Sequence, residues 1–330
     1  MEQPQKFPDV RLSEGPVITQ AVPNADCPSH FDPAMRLRLQ HLLAERYIHT
    51  PQNAELWCLL EDLMFQVSAS SPKPKVMGCL VTGESHSGKT TAVRQFKQAY
   101  LENVPEARAN DIFYFQIPSR ARLKGVLTKM GIELNIPDME MSNRRDFPTF
   151  RLVQKVAAKL WKDGAKLVII DEFQKLFDLQ GEPRVEILGG FNDLANESHI
   201  PIVLVGVVGV DEILDIGKYE EDKGNLRGCF SSRFSEFCLG AWDDPDCSNF
   251  AALLKTVSDD CGLATPAGVP PFYMDGTIRE LILEGTGGLT GKIITLLKWA
   301  ARHVIRNKLP EALTIDVLKQ TLKSLQVNGW

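Results

Sequence analysis

The chain holds 330 residues, 44% of them hydrophobic and 24% charged, with a formal net charge of −5. Such a composition excludes wholesale disorder and low-complexity architecture, and the length suits one large α/β domain with smaller appendages. The acidic balance argues against a simple basic nucleic-acid binder, and the seven cysteines, an odd number without a Cys-x-x-Cys pair, argue against a disulfide framework or structural zinc.

Residues 1–30 are proline-rich with little periodicity and read as an extended arm. The first residues lack a basic start followed by an apolar core, so no secretory signal is expected. No apolar run approaches the ~20 residues of a membrane-spanning helix, so a cytoplasmic protein without a membrane partner is expected. Asp32-Pro33 opens a helical pattern through Met35, Leu39 and Leu42, and Asn53–Val67 is a second helix with Leu56, Leu60 and Leu63 at three-to-four spacing. Ser68–Lys75 is a linker by composition.

Strands and helices then alternate. Val76–Thr82 is an apolar run ending in a Gly-rich loop, and the helix after it places Val93, Phe96 and Tyr100 inward. Asp111–Ile117 is a second strand, and Phe150–Trp161 is a helix with Val153, Val156, Ala157 and Leu160 on one stripe. Leu167–Ile170 and Ile202–Val205 are short apolar runs of the kind found in a parallel sheet covered on both faces, and Phe237–Leu239 supplies a fifth strand. Beyond Trp242 the pattern is helical: Asn249–Cys261, Thr277–Glu284, Leu289–Asn307 and Ile315–Leu325. Three parts are expected: an arm with helices over 1–72, an α/β core over 73–240 and a helical lid over 241–330.

The strongest chemical signal is Gly83-Glu84-Ser85-His86-Ser87-Gly88-Lys89-Thr90, a full match to the phosphate-loop pattern between a strand and a helix. Gly83 and Gly88 permit backbone angles that turn the loop's N–H groups onto phosphate oxygens at a helix N-terminus. Lys89 then supplies a point charge for the outer phosphates of ATP, and the Thr90 hydroxyl a ligand for Mg2+, with Thr91 following in the same turn. The second signal is Leu167–Ile170 ending in Asp171-Glu172, a buried strand that delivers two acids. In a Walker B reading Asp171 holds the metal through water and Glu172 activates the attacking water. A second acid beside the first favours hydrolysis over phosphoryl transfer to a substrate hydroxyl.

Weaker candidates follow. Arg233, ahead of Arg227, precedes the fifth strand and could reach a neighbouring subunit's nucleotide in trans. Lys292, at the start of the lid helix after Gly287-Gly288-Leu289-Thr290-Gly291, is a candidate nucleotide sensor. His86 reads as loop filler and His199 as a turn residue. Charge is segregated: Pro118–Lys166 holds 11 Lys/Arg against 5 Asp/Glu, and Gly209–Asp246 holds 4 against 10. Segregation of this kind steers a polyanion to one face or mates one subunit with the next.

In this order, these motifs resemble the AAA+ ATPases. More narrowly, GESHSGKT (83–90), FQIPSRARLKGVLTKMGI (115–132), KLVIIDEFQKLF (166–177), IPIVLVGVVG (200–209) and SRF (232–234) resemble the TniB/TnsC regulators of bacterial cut-and-paste transposons, including those guided by CRISPR effectors. The resemblance runs from about Arg36 to the C-terminus and implies a P-loop core with a five-stranded parallel sheet and a small all-helical C-terminal lid. It also implies ATP-dependent assembly on duplex DNA into a ring or helical homo-oligomer of about six or seven subunits per turn. Transposase subunits and a target-selector protein would be the partners. By this analogy a basic loop carrying Arg120, Arg122 and Lys124 faces the pore and holds the DNA backbone, without sequence preference. One departure is Gly206-Val207-Val208, where the family usually places a polar residue that helps position water. Two valines cannot do so through their side chains, so slow hydrolysis is expected. Two rival readings stand beside this one: a nucleotide-gated scaffold with little turnover, and a P-loop kinase for a small metabolite.

Overall fold

The computed structural model describes residues 33–44, 46–68, 78–119, 122–139, 148–176, 184–207, 234–263 and 270–327. Five short strands form one sheet: β1 (Gly78–Thr82), β2 (Ile112–Gln116), β3 (Leu167–Asp171), β4 (Ile202–Val205) and β5 (Phe234–Cys238). Their order is β2-β3-β4-β1-β5 and every pairing is parallel. Parallel neighbours need crossovers, and helices supply them. Helices α1 (Pro33–Leu43) and α2 (Pro51–Ser68) precede the sheet, and α3 (Lys89–Asn103), α4 (Leu123–Glu133), α5 (Thr149–Asp163) and α6 (Arg184–Ser198) lie between its strands. The chain ends in α7 (Ser248–Cys261), α8 (Gly276–Thr286), α9 (Thr290–Arg306) and α10 (Ile315–Val327).

Because successive strand residues face opposite sides, parity sorts the core into two layers. Leu80, Val168, Ile170, Ile202 and Leu204 pack with α4, α5 and α6. Cys79, Val81, Leu167, Ile169, Val203 and Val205 pack with α2 and α3. Both faces are therefore buried, which is why the strands read as continuous apolar runs. A third core joins α7–α10 through Phe250, Leu254, Ile282, Leu297, Val304 and Leu318.

Several expectations change. The fifth strand begins three residues earlier than expected and ends at Cys238, where its register with β1 runs from Gly78↔Phe234 to Thr82↔Cys238. The basic segment after β2 is not an open loop through Lys124. Arg122 is the N-cap residue of α4 and Lys124 lies in its first turn, because Leu123, Val126, Leu127 and Met130 form a helical stripe buried under the sheet. Helix α6 was not expected from the sequence, since Gly189-Gly190 weakens its helix signal. Gly190 is used for a close approach, as a Cβ there would lie 2.4 Å from Leu123 Cδ2.

The first two helices do not form a separate piece. Leu42 and Ile48 join the C-terminal helical core, whereas Leu56, Leu60 and Leu63 of α2 join the sheet. The arm 1–30, the bulk of the linker 68–75, Arg120, Val208, Arg227 and Arg233 lie outside the described residues. No helix among the described residues is long and apolar enough to cross a membrane.

Candidate nucleotide site

The site gathers at the C-terminal edge of the sheet, the side where parallel strands open toward helix N-termini. β1 ends at Thr82, and Gly83 follows at φ 152° with its Cα against the Leu239 carbonyl, so any Cβ would meet that oxygen at 2.7 Å. Gly88 caps α3 in the left-handed region at φ 98°. Between them His86 also takes a positive φ, 68°. The loop thus uses left-handed geometry to curl round the N-terminus of α3.

Lys89 sits inside this curl, only 8% exposed. Its ammonium donates to the carbonyls of Gly83 (2.8 Å) and Glu84 (2.6 Å) and to Ser87 Oγ (3.2 Å). Burial pulls its pKa below the ordinary lysine value, while the carboxylates of Asp171 and Glu172 pull it back up. Glu84 and Ser85 are exposed, and Thr90 and Thr91 begin α3.

Thr90 Oγ1 donates to Asp171 Oδ1 over 3.3 Å, so the hydroxyl and the buried carboxylate converge from α3 and β3. Two hard oxygen ligands at this spacing beside a phosphate loop suit Mg2+, which prefers one or two protein oxygens and keeps several waters. Among the described residues there is no cluster of three or more His, Cys, Asp or Glu that could hold another metal.

Asp171 is fixed further. Its Oδ1 accepts the Glu172 backbone N–H (2.8 Å), and its Oδ2 accepts the Tyr114 hydroxyl (2.6 Å). Tyr114 in turn accepts from Arg94 Nε (3.0 Å), whose guanidinium lies 5.1 Å from the centre of the tyrosine ring. Arg94 also reaches Gln116 at 3.4 Å. Burial, reinforced by the Asp171 carboxylate, pushes the Tyr114 phenol well above its ordinary pKa, so it stays a donor.

Glu172 adopts φ 60°, an unfavourable region for a residue with a Cβ and one that gathers at functional sites. Its Oε2 accepts from Gln174 Nε2 (3.1 Å) and pairs with Lys175 Nζ (3.2 Å). Tyr114, Arg94, Gln174 and Lys175 were absent from the sequence-derived set. A tyrosine within an otherwise apolar strand was the available signal, but its use depends on β2 lying beside β3.

The lid reaches the same place. Gly291 N–H donates to the His86 carbonyl (2.9 Å), and a Cβ on Gly291 would lie 2.5 Å from that oxygen. Trp242 Nε1 donates to Thr290 Oγ1 (3.0 Å), and the Trp242 backbone N–H to the Gly288 carbonyl (2.9 Å). His86 therefore meets the lid through its backbone, and Lys292 lies one residue beyond that contact on α9. Gly206 follows β4, its N–H bonded to the Val81 carbonyl (3.0 Å), and Val207 is half-buried beside it.

Solved structures share this fold at low identity. Aeropyrum pernix ORC2 in ADPNP–ADP complexes is 16% identical with a TM-score of 0.57, covering 86% of this chain and 71% of that one. Cdc6p from Pyrobaculum aerophilum is also 16% identical, with a TM-score of 0.56 and coverage of 86% and 70%. Aeropyrum pernix ORC1 in complex with DNA is 15% identical, with a TM-score of 0.51 and coverage of 87% and 69%. The fold is that of the AAA+ P-loop ATPases. No curated protein sequence matches the chain. The profile of the family described as Bacterial TniB protein matches residues 38–244, a span that takes in the phosphate loop, both acids and every strand, and the chain belongs to that family.

Proposed function

We propose that the chain is an ATP-hydrolysing regulator of transposition that assembles with ATP on duplex DNA and links target selection to transposase recruitment. The observation that carries the ATPase part is the convergence of Lys89, Thr90, Asp171 and Glu172 at one sheet edge, with Thr90 and Asp171 3.3 Å apart. Family membership supports the transposition part. The ORC1 neighbour was solved with DNA, and the ORC2 neighbour with ADPNP and ADP, which is consistent with a nucleotide-dependent DNA-associated assembly.

In this reading the backbone N–H groups from Gly83 to Thr91 cradle the phosphates and Lys89 turns from the loop carbonyls to the outer ones. Mg2+, held by Thr90 and Asp171, would neutralise charge building on the phosphates. Glu172 orients and deprotonates the attacking water, its carboxylate kept in place by Gln174 and Lys175. Arg233 of a neighbouring subunit completes the site, and Lys292 senses the nucleotide from the lid. Arg120, Arg122 and Lys124 hold the DNA backbone. Arg122 and Lys124 belong to the N-terminus of α4, which fixes the spacing of their backbone positions. Val207 leaves the water short of one polar partner, so turnover is slow, as suits a timer.

Two variants test the site. Lys89→Ala loses ATP binding outright. Glu172→Gln keeps binding but hydrolyses about 10²–10⁴-fold more slowly. Nucleotide titration and phosphate release read the two effects, and a Glu172→Gln protein with undiminished turnover would remove Glu172 from its role.

A further inference from the structure

A cavity of about 880 Å3 opens between α1, α9 and α10, on the lid and away from the phosphate loop. Arg302, on its wall, lies about 16 Å along α9 from Gly291, the residue that touches His86. Leu39, Leu43 and Trp299 form its apolar part, and Trp299 and Leu43 remain 43% and 53% exposed. Its polar rim sets three arginines, Arg36 from α1 and Arg302 and Arg306 from α9, among neutral hydrogen-bonding side chains of all three helices. Among the described residues no carboxylate lines it.

Pairing of the nearby cations is uneven. Arg38 on α1 pairs with Glu311, Arg46 with Asp260, and Lys298 on α9 with Asp260 and the Ala44 carbonyl. Arg36, Arg302 and Arg306 have no ion pair among the described residues, and all three line the cavity. Arg302 instead stacks over Trp299, 4.7 Å from the ring centre. Basic residues suit a helix C-terminus, which accounts for His303 and Arg306 but not for Arg36 on a different helix. Nor does it account for an exposed tryptophan on the wall of a concave site. Unpaired cations around exposed apolar side chains are the complement of an acidic segment that carries its own apolar anchors.

We propose that this groove binds an acidic peptide segment of a partner protein, with a large apolar side chain against Trp299 and Leu43 and carboxylates on Arg36, Arg302 and Arg306. Nucleic acid fits less well, because a phosphate backbone uses the cations but leaves the apolar wall without a complement. The inference stands apart from the nucleotide chemistry, since it uses no residue of the phosphate loop or sheet edge.

The test is selection of a displayed library of random peptides on the full chain, followed by anisotropy titration of fluorescein-labelled winners. Selected peptides are expected to combine Asp or Glu with Leu, Phe or Trp. Their affinity is expected to fall about tenfold or more in Arg302→Glu and Trp299→Ala, while ATP binding is unchanged. Arg36→Glu and Arg306→Glu, at exposed positions, carry the same expectation should Arg302→Glu or Trp299→Ala fail to fold. Exchanging a peptide glutamate for lysine is expected to recover binding to Arg302→Glu. Winners without acidic residues, or winners indifferent to all four substitutions, would overturn the proposal. So would loss of oligonucleotide binding alone in these variants, or preferential binding of a peptide spanning this chain's own residues 1–32.

Discussion

Tyr114 holds Asp171 in a way that sequence motifs do not convey. The placement of Asp171 and Glu172 at the end of a buried strand was legible because that position is local. Lys89 and Thr90 were legible for the same reason, since the loop spacing is itself the chemistry. Tyr114 and Arg94 are different: they matter only because β2 pairs with β3 in the register Gln116↔Asp171, a contact 55 residues apart in sequence. Removing a hydrogen bond to a carboxylate costs about 1.5–3 kcal/mol. Tyr114→Phe is therefore expected to raise the Mg2+ concentration for half-maximal nucleotide binding about tenfold, leaving metal-free nucleotide binding unchanged. Isothermal titration with and without Mg2+ checks this, and equal metal dependence in both proteins would make the tyrosine structural only.

Among the secondary-structure elements, apolar runs were the reliable guide and their destinations were not. The three central strands β1, β3 and β4 were readable because burial on both faces leaves no polar alternation to confuse them, whereas the edge strand β5, Phe234–Cys238, is mostly exposed and its start was misplaced. The α4 start was misread because Arg120, Arg122 and Lys124 suggested a loop, whereas Leu123 and Val126 already carried the helical stripe. An amphipathic pattern also states that α1 buries a face, not that the face meets α9. Two contacts between elements give direct expectations. Gly291→Ala places a methyl 2.5 Å from the His86 carbonyl, and overpacking of this kind costs about 1–3 kcal/mol. It is expected to lower both the urea midpoint and nucleotide affinity. Gly189→Ala, with nothing within 4 Å, is expected to stabilise by about 0.5–1 kcal/mol and leave nucleotide binding alone.

The second contact ties α3 to the starts of β2 and β3. Asp111, 1% exposed, accepts from Lys166 Nζ (2.9 Å) and from the Tyr100 hydroxyl (2.9 Å). Burial works to raise its pKa, but Lys166, Tyr100 and a backbone N–H together hold it below the ordinary 3.8. A depressed carboxylate contributes stability above its unfolded pKa and loses it as pH falls through the folded value. Acid unfolding monitored by circular dichroism is thus expected to steepen below about pH 4. Asp111→Asn is expected to be less stable at pH 7 and to lose less on acidification; an unchanged acid profile would contradict the pairing.

At the scale of the whole molecule, the proposed nucleotide site lies where the phosphate loop and the lid are already joined by the Gly291–His86 bond, so the proposal expects nucleotide binding and lid position to be linked. The remaining element of the proposed assembly is the neighbour's Arg233, and with it a dependence of oligomerisation on ATP by mass action. In the same proposal, basic residues at the start of α4 would add a dependence on DNA that weakens with salt. The decisive measurement is particle mass on a duplex of about 60 base pairs (near 200 Å of B-form helix), with and without a non-hydrolysable ATP analogue. A large particle that requires both DNA and analogue, and that is lost in Lys89→Ala and in Arg233→Ala, is the expected result. A monomer under every condition would contradict the assembly, and with it the trans arginine and the DNA contacts of Arg120, Arg122 and Lys124.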